Sequence, residues 1–121
     1  MAKRVLLVDD SESVIVFEKM LLRGMGFELV AARNGKLALA EAAKQRPDIV
    51  LLDLVMPEMD GIETCRRLKE NPETREIPVV VVTTKGEPEL VEKAFEAGCN
   101  DYITKPVDKL ELLTKMNCHL R

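Results

Sequence analysis

The sequence lacks paired cysteines and long apolar runs. Its three cysteines, Cys65, Cys99 and Cys118, are widely spaced and contain no Cys-x-x-Cys pair. Such an odd number predicts reduced thiols in a cytoplasmic protein and argues against a cysteine metal site. No stretch approaches the roughly 20 apolar residues of a membrane span. The N-terminal Met-Ala-Lys-Arg has no signal-peptide pattern, so we expect a cytoplasmic protein without a membrane partner.

An excess of basic charge is also missing. The chain has 18 Lys and Arg against 21 Asp and Glu, a formal net charge of -3. A nucleic-acid surface requires a clustered basic face, so direct nucleic-acid binding is not expected. The 121 residues, 46% of them hydrophobic, suffice for one domain with a core but not for two. We therefore predict a single domain over residues 1–121.

The most informative stretch is an apolar run that ends in a carboxylate. Residues 49–52, Ile-Val-Leu-Leu, lead directly into Asp53, between Pro47 and Pro57. A short unbroken run with such boundaries predicts a strand buried on both faces, which is typical of parallel sheets covered by helices. Asp53 then lies at the carboxyl end of a central strand, where open α/β sheets bind ligands.

The rest of the chain repeats this alternation. Predicted strands cover residues 4–8, 28–32, 48–53, 79–82 with an extension into Thr83-Thr84, and 101–104. Helices follow each strand, and Ser11, Asn34, Asp60 and Asp108 are their predicted N-caps. Residues at helical spacing include Val14, Phe17 and Leu21 in the first helix, Leu90, Val91, Ala94 and Phe95 in the fourth, and Leu110, Leu113, Met116 and Leu120 in the fifth. Five strand–helix units predict an α/β fold with a five-stranded parallel sheet and helices on both faces, a doubly wound (βα)5 arrangement.

Polar residues follow four of the predicted strands. They are Asp9 and Asp10, Asp53, Thr83 and Lys105. The carboxyl ends of parallel strands share one edge of the sheet, so we expect these five side chains to meet in one cleft. A single Asp after a strand is more often a helix cap than a ligand. Five such residues at one edge are better explained by a functional site.

The charges in this cleft predict a metal ion. Two carboxylates ~5 Å apart repel by about 3 kcal/mol at an effective dielectric of ~20, and Lys105 alone cannot balance three. Oxygen ligands without His or Cys select a hard cation, Mg²⁺ or Mn²⁺. Such an ion keeps positions open for water or a phosphate oxygen. Lys105 and Thr83 would then face a bound phosphoryl group.

Taken together, these motifs resemble the receiver domain of two-component response regulators. The matching segments are Val-Asp-Asp at 8–10, Leu-Asp-x-x-Met-Pro-x-Met-Asp-Gly at 52–61, Thr83, and Lys105-Pro106. The resemblance covers the whole chain, and the single-domain chemotaxis regulator is similar in size and motif. It implies a flavodoxin-like fold and a signalling phosphoacceptor that catalyses its own phosphorylation and dephosphorylation, with no activity on a separate substrate.

The resemblance also implies roles for the acidic residues. Asp53 would accept a phosphoryl group from a phosphohistidine on a histidine kinase or phosphotransfer protein, giving an acyl phosphate. Asp10 and Asp53 would bind Mg²⁺ directly, with the backbone carbonyl of Val55 as a further ligand. Asp9 would act mostly through a bound water.

The remaining implied roles concern the phosphoryl oxygens and the conformational switch. Lys105 and Thr83 would contact the phosphoryl group, and the bond from Lys105 to Pro106 is usually cis in this family. Thr83 and Tyr102 match the switch pair, although Tyr102 alone would be read as a surface residue on an edge strand. The fourth helix, fifth strand and fifth helix would meet a downstream output protein or a fused output domain. The protein would be a monomer, with dimerisation through that face on phosphorylation.

Three positions bear on the lifetime of the phosphorylated state. Val55 and Lys85 occupy positions that tune hydrolysis in the family, and the apolar Val55 leads us to expect slow-to-moderate autodephosphorylation. Thr84 replaces the more usual small residue beside Thr83, and its bulk would narrow access to Asp53.

Other functions fit the sequence less well. A pseudo-receiver that acts only as a binding module would normally lack an acidic residue, the Thr or the Lys. A Mg²⁺-dependent phosphatase would need Asp-x-Asp where this chain has Asp9-Asp10-Ser11. A flavodoxin-like cofactor protein would need a Ser/Thr/Gly-rich phosphate loop there. His119, the only histidine, is expected to be a solvated helix residue and not a phosphodonor.

Overall fold

Strands and helices alternate along the chain, as predicted. A computed structural model describes residues 2–56, 59–84 and 87–120. The strands are β1 (Arg4–Val8), β2 (Glu28–Ala32), β3 (Ile49–Asp53), β4 (Val79–Thr84) and β5 (Asp101–Lys105). The helices are α1 (Glu12–Leu22), α2 (Gly35–Gln45), α3 (Gly61–Glu70), α4 (Pro88–Glu96) and α5 (Lys109–His119). The predicted strand ends agree with these bounds to within two residues.

The five strands form one parallel sheet in the order β2-β1-β3-β4-β5. This flavodoxin-like order confirms the predicted fold class. All five residues of β3, in the centre, are buried. In the register, Val8 pairs with Leu52 and Asp53 with Val82, so the carboxyl ends of β1, β3 and β4 lie side by side.

Two hydrophobic cores cover the two faces of the sheet. Because side chains alternate along a strand, Val50 and Leu52 belong to one core and Ile49 and Leu51 to the other. The first core also contains buried residues of α2, α3 and α4, and the second contains buried residues of α1 and α5. The helices therefore lie on both faces, as a doubly wound sheet requires.

The predicted helix starts are confirmed by their capping bonds. The side chains of Ser11, Asn34, Asp60 and Asp108 each accept the backbone N–H three residues on, at 2.8–3.4 Å. Such bonds satisfy amides that have no partner inside the helix. Pro88 is the first residue of α4, where its missing N–H costs no helical hydrogen bond.

Apolar spacing did not identify the buried face of every helix. In α1 the buried residues are Ile15, Glu18 and Leu22, whereas Phe17 is 44% exposed, and in α5 Leu110 is 75% exposed. Apolar residues on adjacent sides of one helix leave its rotation ambiguous.

The expectation of a solvated His119 was wrong. Its side chain is 24% exposed, and its Nε2 lies 3.1 Å from Oδ2 of Asp101. This contact joins the end of α5 to the start of β5.

Among the residues that the structure describes, no helix has the length and apolar character to cross a membrane.

Candidate functional site

Three carboxylates meet at the carboxyl edge of the sheet. Asp9 and Asp10 follow β1, and Asp53 is the last residue of β3. One carboxylate oxygen from each lies within 4.8 Å of the others. Asp9 and Asp53 are buried, at 1% and 5% exposure, and Asp10 is exposed. A buried pair with an exposed third member leaves the cluster open to solvent on one side.

Lys105, the last residue of β5, supplies the counter-charge. Its Nζ lies 3.3 Å from Oδ2 of Asp9 and 3.4 Å from Oδ1 of Asp53. Burial alone would lower the pKa of Lys105, but the adjacent carboxylates of Asp53 and Asp9 raise it above its ordinary value. The ammonium therefore stays charged between two acids. The peptide bond from Lys105 to Pro106 is cis, as the resemblance implied.

The loop after β1 is fixed by hydrogen bonds of its own. Oδ1 of Asp9 accepts the backbone N–H of Ser11 at 2.9 Å. The guanidinium of Arg33 donates from Nε and Nη2 to the backbone carbonyl of Asp10, at 3.1 and 2.9 Å. Sequence reasoning did not anticipate this role of Arg33, because nothing in the spacing joins the end of β2 to the end of β1.

The Asp53 carboxyl holds its proton more tightly than an ordinary aspartate. Burial, and then repulsion from Asp9, raises the pKa of Asp53 from 3.8 to about 6. The Lys105 ammonium and the backbone N–H of Val55 oppose this rise. The Val55 side chain is 58% exposed. Asp53 is therefore mostly ionised at pH 7. Burial still disfavours this ionised form, and a bound cation would stabilise it.

Thr83 lies beyond Asp53 on the neighbouring strand and is 1% exposed. Its Oγ1 is buried and has no hydrogen-bond partner among the residues in 2–56, 59–84 and 87–120. Because an unpaired buried hydroxyl is unfavourable, an incoming acceptor would stabilise it. A cavity of about 250 Å³ adjoins this residue, and its lining includes Thr84, Val91 and Tyr102.

Tyr102 is on β5 and is 37% exposed. The Phe95 ring meets it edge-on at a centroid distance of 6.2 Å, and Nζ of Lys115 lies 4.6 Å from the ring centroid. Both are favourable aromatic contacts. They join α4, β5 and α5 on the surface that the resemblance assigns to output proteins.

The first residue of α3 packs directly against the backbone of Asp53. A Cβ atom on Gly61 would lie 2.2 Å from the Asp53 carbonyl oxygen and 2.6 Å from Cα of Leu54. The Gly61 N–H donates to the carbonyl of Leu54 at 3.0 Å. Only glycine fits here, so α3 begins as close to Asp53 as the backbone allows.

Glu18 is a buried acid that sequence reasoning missed. This α1 residue is 2% exposed, and its Oε1 has no partner among the described residues. Burial raises the pKa of Glu18 to about 8, with a further rise from Asp9 that Lys105 partly offsets. The sequence did contain an indication of this burial, because Glu18 lies three residues after Ile15 and four before Leu22, on the same side of the helix. The apolar Phe17 beside it pointed to a different buried face.

The donor set fits a hard divalent cation. Its members, Asp9, Asp10 and Asp53, all offer carboxylate oxygen, which Mg²⁺ and Mn²⁺ prefer. The cluster could therefore hold a metal ion. Pro57 and Lys85 lie outside the described residues.

Known proteins share the sequence pattern and the fold of this chain. The model of the response regulator receiver domain family matches residues 5–117. The response regulator PleD of Caulobacter vibrioides is 41% identical over 117 residues, which are 96% of this chain and 26% of PleD. The DNA-binding response regulator MtrA of Mycobacterium tuberculosis is 38% identical over 121 residues, 100% of this chain and 52% of MtrA. The chain thus spans about a quarter to a half of these curated relatives.

A solved structure gives the same result for the fold. The chemotaxis protein CheY4 of Vibrio cholerae superposes with a TM-score of 0.92 at 30% identity, over 99% of this chain and 100% of that one.

Proposed function

Since the chain belongs to the response regulator receiver domain family, we propose that it accepts a phosphoryl group on Asp53 in a reaction that depends on a divalent cation. The observation that carries this proposal is the contact of Lys105 Nζ with both Asp9 and Asp53, 3.3 and 3.4 Å away, beside the exposed Asp10. The phosphoryl donor would be a histidine kinase or a histidine phosphotransfer protein.

The transfer exchanges one bond to phosphorus for another. A carboxylate oxygen of Asp53 attacks the phosphorus, the P–N bond of the donor phosphohistidine breaks, and an acyl phosphate forms. With its pKa at about 6, the Asp53 carboxyl is mostly ionised at pH 7 and is a competent nucleophile. The Lys105 ammonium stabilises charge on the phosphoryl oxygens, and the Thr83 hydroxyl, which has no hydrogen-bond partner within the described part of the chain, donates to one of them.

The acidic cluster is the proposed cation site. Asp10 and Asp53 would bind Mg²⁺ or Mn²⁺ directly, the Val55 carbonyl would complete the protein ligands, and Asp9 would act through a water. When bound, the ion supplies positive charge that neutralises carboxylates and phosphoryl oxygens. The chain's own part is to orient three acids and to keep Lys105 beside them.

Phosphorylation of Asp53 would change the structure of a surface at some distance from this residue. Thr83 moves toward the phosphoryl group, and Tyr102 turns into the adjoining cavity of about 250 Å³. The surface formed by α4, β5 and α5 then changes shape, which alters its affinity for an output protein or a fused output domain. Dimerisation through the same surface on phosphorylation belongs to this proposal.

Residues 1–121 would form one receiver domain that acts in the cytoplasm, without direct contact to nucleic acid or membrane. The chain would catalyse its own phosphorylation and dephosphorylation, and would act on no separate substrate. The exposed apolar Val55 supports slow-to-moderate autodephosphorylation. A phosphoryl half-life of seconds would contradict that last point.

The test is the intact mass after incubation with acetyl phosphate, with and without Mg²⁺. We expect a gain of one phosphoryl group that requires Mg²⁺ and is absent in Asp53→Asn. Asp108→Asn is the matched control, because asparagine keeps the N-cap acceptor of α5; it should be phosphorylated like the wild type. No gain under any condition would favour a phosphorylation-independent binding module.

A further inference from the structure

We propose that Glu87 is a positioning residue for Tyr102. Its carboxylate accepts the hydrogen bond of the Tyr102 hydroxyl when the ring turns into the cavity of about 250 Å³ that both residues line. The inference rests on the proposed function, in which phosphorylation turns the ring, and it names the group that receives the hydroxyl. Glu87 lies just before α4, outside the acidic cluster.

Two side chains hold the Tyr102 ring in its present, partly exposed position. The Phe95 ring meets it edge-on at a centroid distance of 6.2 Å, and Nζ of Lys115 lies 4.6 Å from its centroid. Lys115 also donates to the backbone carbonyl of Tyr102 at 2.5 Å and lies 3.6 Å from Oδ1 of Asp101. These two contacts do not involve the ring, so the ammonium need not follow it. A ring that turns inward loses both aromatic contacts, and its new position must offer a contact that compensates for them.

The inward ring also takes its hydroxyl out of solvent. A buried tyrosine hydroxyl usually has a hydrogen-bond partner, because a buried donor without an acceptor is unfavourable. In the described part of the chain, two side chains that line the cavity have a buried oxygen without a hydrogen-bond partner, Oγ1 of Thr83 and Oε2 of Glu87. The proposed function directs the Thr83 hydroxyl to the phosphoryl group, which leaves Glu87 as the acceptor.

Glu87 does not cap the helix that it precedes. It occupies the N-cap position of α4, before Pro88, but its side chain makes no capping hydrogen bond, whereas the N-cap side chains of the other four helices all do. A carboxylate oxygen accepts a charge-assisted hydrogen bond from a hydroxyl. One bond to Tyr102 would therefore satisfy both the buried Oε2 and the incoming hydroxyl.

The experiment follows the Tyr102 ring by NMR in protein labelled with ring-¹³C tyrosine. Because the chain has a single tyrosine, the whole signal comes from this residue. Spectra are recorded before and after incubation with acetyl phosphate and Mg²⁺, and the intact mass of each sample shows whether it is phosphorylated. Glu87→Met removes the acceptor, and Glu87→Gln removes the charge but keeps an acceptor oxygen. Glu89→Met, at an exposed position two residues further on, is the control for the substitution.

In the wild type, phosphorylation should shift the signal of Cζ, the ring carbon that bears the hydroxyl, because the hydroxyl exchanges water for a carboxylate. Glu87→Met should be phosphorylated like the wild type but lose most of this shift. The loss of one hydrogen bond to a charged group lowers the ratio of inward to outward rings about tenfold. Glu87→Gln should keep most of the shift and Glu89→Met all of it. A residue that only stabilised α4 would not separate the Met variant from the Gln variant in this way.

Three results would count against the inference. A phosphorylated Glu87→Met with the full Cζ shift would overturn it and leave the proposed phosphoacceptor intact. Equal losses in the Met and Gln variants would show an effect of charge alone and would overturn it as well. A wild type whose mass does not increase would contradict the proposed function itself, and the inference would fall with it.

The phosphorylated wild type provides a check that needs no substitution. The ring hydrogens of Tyr102 should give nuclear Overhauser contacts with the side-chain hydrogens of Glu87. Their presence would support the inference even if Glu87→Met did not fold, and their absence would overturn it.

Discussion

The Nζ atom of Lys105 lies 3.4 Å from Oδ1 of Asp53. Among the contacts of Asp53, this ion pair most strongly opposes the rise in its pKa that burial causes. Asp53 is 5% exposed and is further disfavoured as an anion by Asp9. An ammonium at this distance lowers the free energy of the ionised form. The reactive form of the proposed phosphoacceptor thus depends on a lysine from the far edge of the sheet.

Replacement of this lysine should change both the titration and the stability of the protein. In Lys105→Met, the pKa of Asp53 should rise above its present value of about 6. The free energy of unfolding at pH 7.5 should fall by about 1–2 kcal/mol, because two buried carboxylates lose a partly exposed partner. Carboxyl ¹³C NMR and urea unfolding measure the two effects. Lys109→Met, at an exposed position, should show neither, and an unchanged Asp53 titration in Lys105→Met would contradict the ion-pair argument.

The raised pKa of Asp53 predicts a definite direction of pH dependence. The folded state holds the Asp53 proton up to about pH 6, whereas the unfolded chain releases it near 3.8. Between these values the folded state binds more protons, so the contribution of Asp53 to stability declines as pH rises from about 4 to 6.

Asp53→Asn should therefore stabilise the metal-free protein at pH 7.5, by up to about 3 kcal/mol. At pH 4 the gain should disappear, because Asp53 is then protonated in the folded state. Urea unfolding in EDTA at both pH values measures the difference. Glu92→Gln, at an exposed position of α4, is the control. An equal gain at pH 4 and 7.5 would show that the effect is not electrostatic.

The close approach of Gly61 to Asp53 predicts a severe effect of one added methyl group. In Gly61→Ala, a Cβ 2.2 Å from a backbone oxygen must push α3 away, which should destabilise the fold by about 2 kcal/mol or more. Mg²⁺-dependent phosphorylation should also be impaired. Gly24→Ala is a matched control: its φ is +78° but its Cβ would meet nothing within 4 Å, so it should cost only about 1 kcal/mol and leave phosphorylation intact.

Tyr102 offers a direct optical test of the proposed switch. It is the only tyrosine, and the chain has no tryptophan, so tyrosine fluorescence reports this residue alone. Acrylamide quenching should decrease after phosphorylation with acetyl phosphate and Mg²⁺, because the ring leaves the solvent. Thr83→Val, which removes the hydroxyl but keeps the shape, should be phosphorylated without this decrease. The same decrease in quenching in Thr83→Val would show that the movement of Tyr102 does not depend on the Thr83 hydroxyl.

The residues at the carboxyl edge of the sheet could be predicted from the sequence, because each of them directly follows a short apolar stretch. Each strand is a short apolar run, and the residue that ends it is carried to the edge by topology alone. Asp53 and Lys105 could be assigned in this way without any knowledge of packing. The family resemblance predicts roles that spacing alone cannot, such as the switch pair of Thr83 and Tyr102, and these roles remain predictions.

What could not be predicted depends on the rotation of helices and on contacts between distant side chains. Apolar residues lie on two sides of α1, so the sequence did not show whether Phe17 or Ile15 and Leu22 would be buried. For the same reason the burial of Glu18 was not predicted. The contact of His119 with Asp101 has a similar origin. It joins residues 18 positions apart, and no periodicity in the sequence signals it.

The bond between Lys105 and Asp9 joins residues 96 positions apart in a chain of 121. Closing so long a loop is entropically unfavourable until the intervening strands are paired. A chain still being synthesised has no complete site until residue 105 has emerged and β5 has joined β4. The proposed ability to accept a phosphoryl group would therefore belong to the finished fold, and a partly folded chain would lack it.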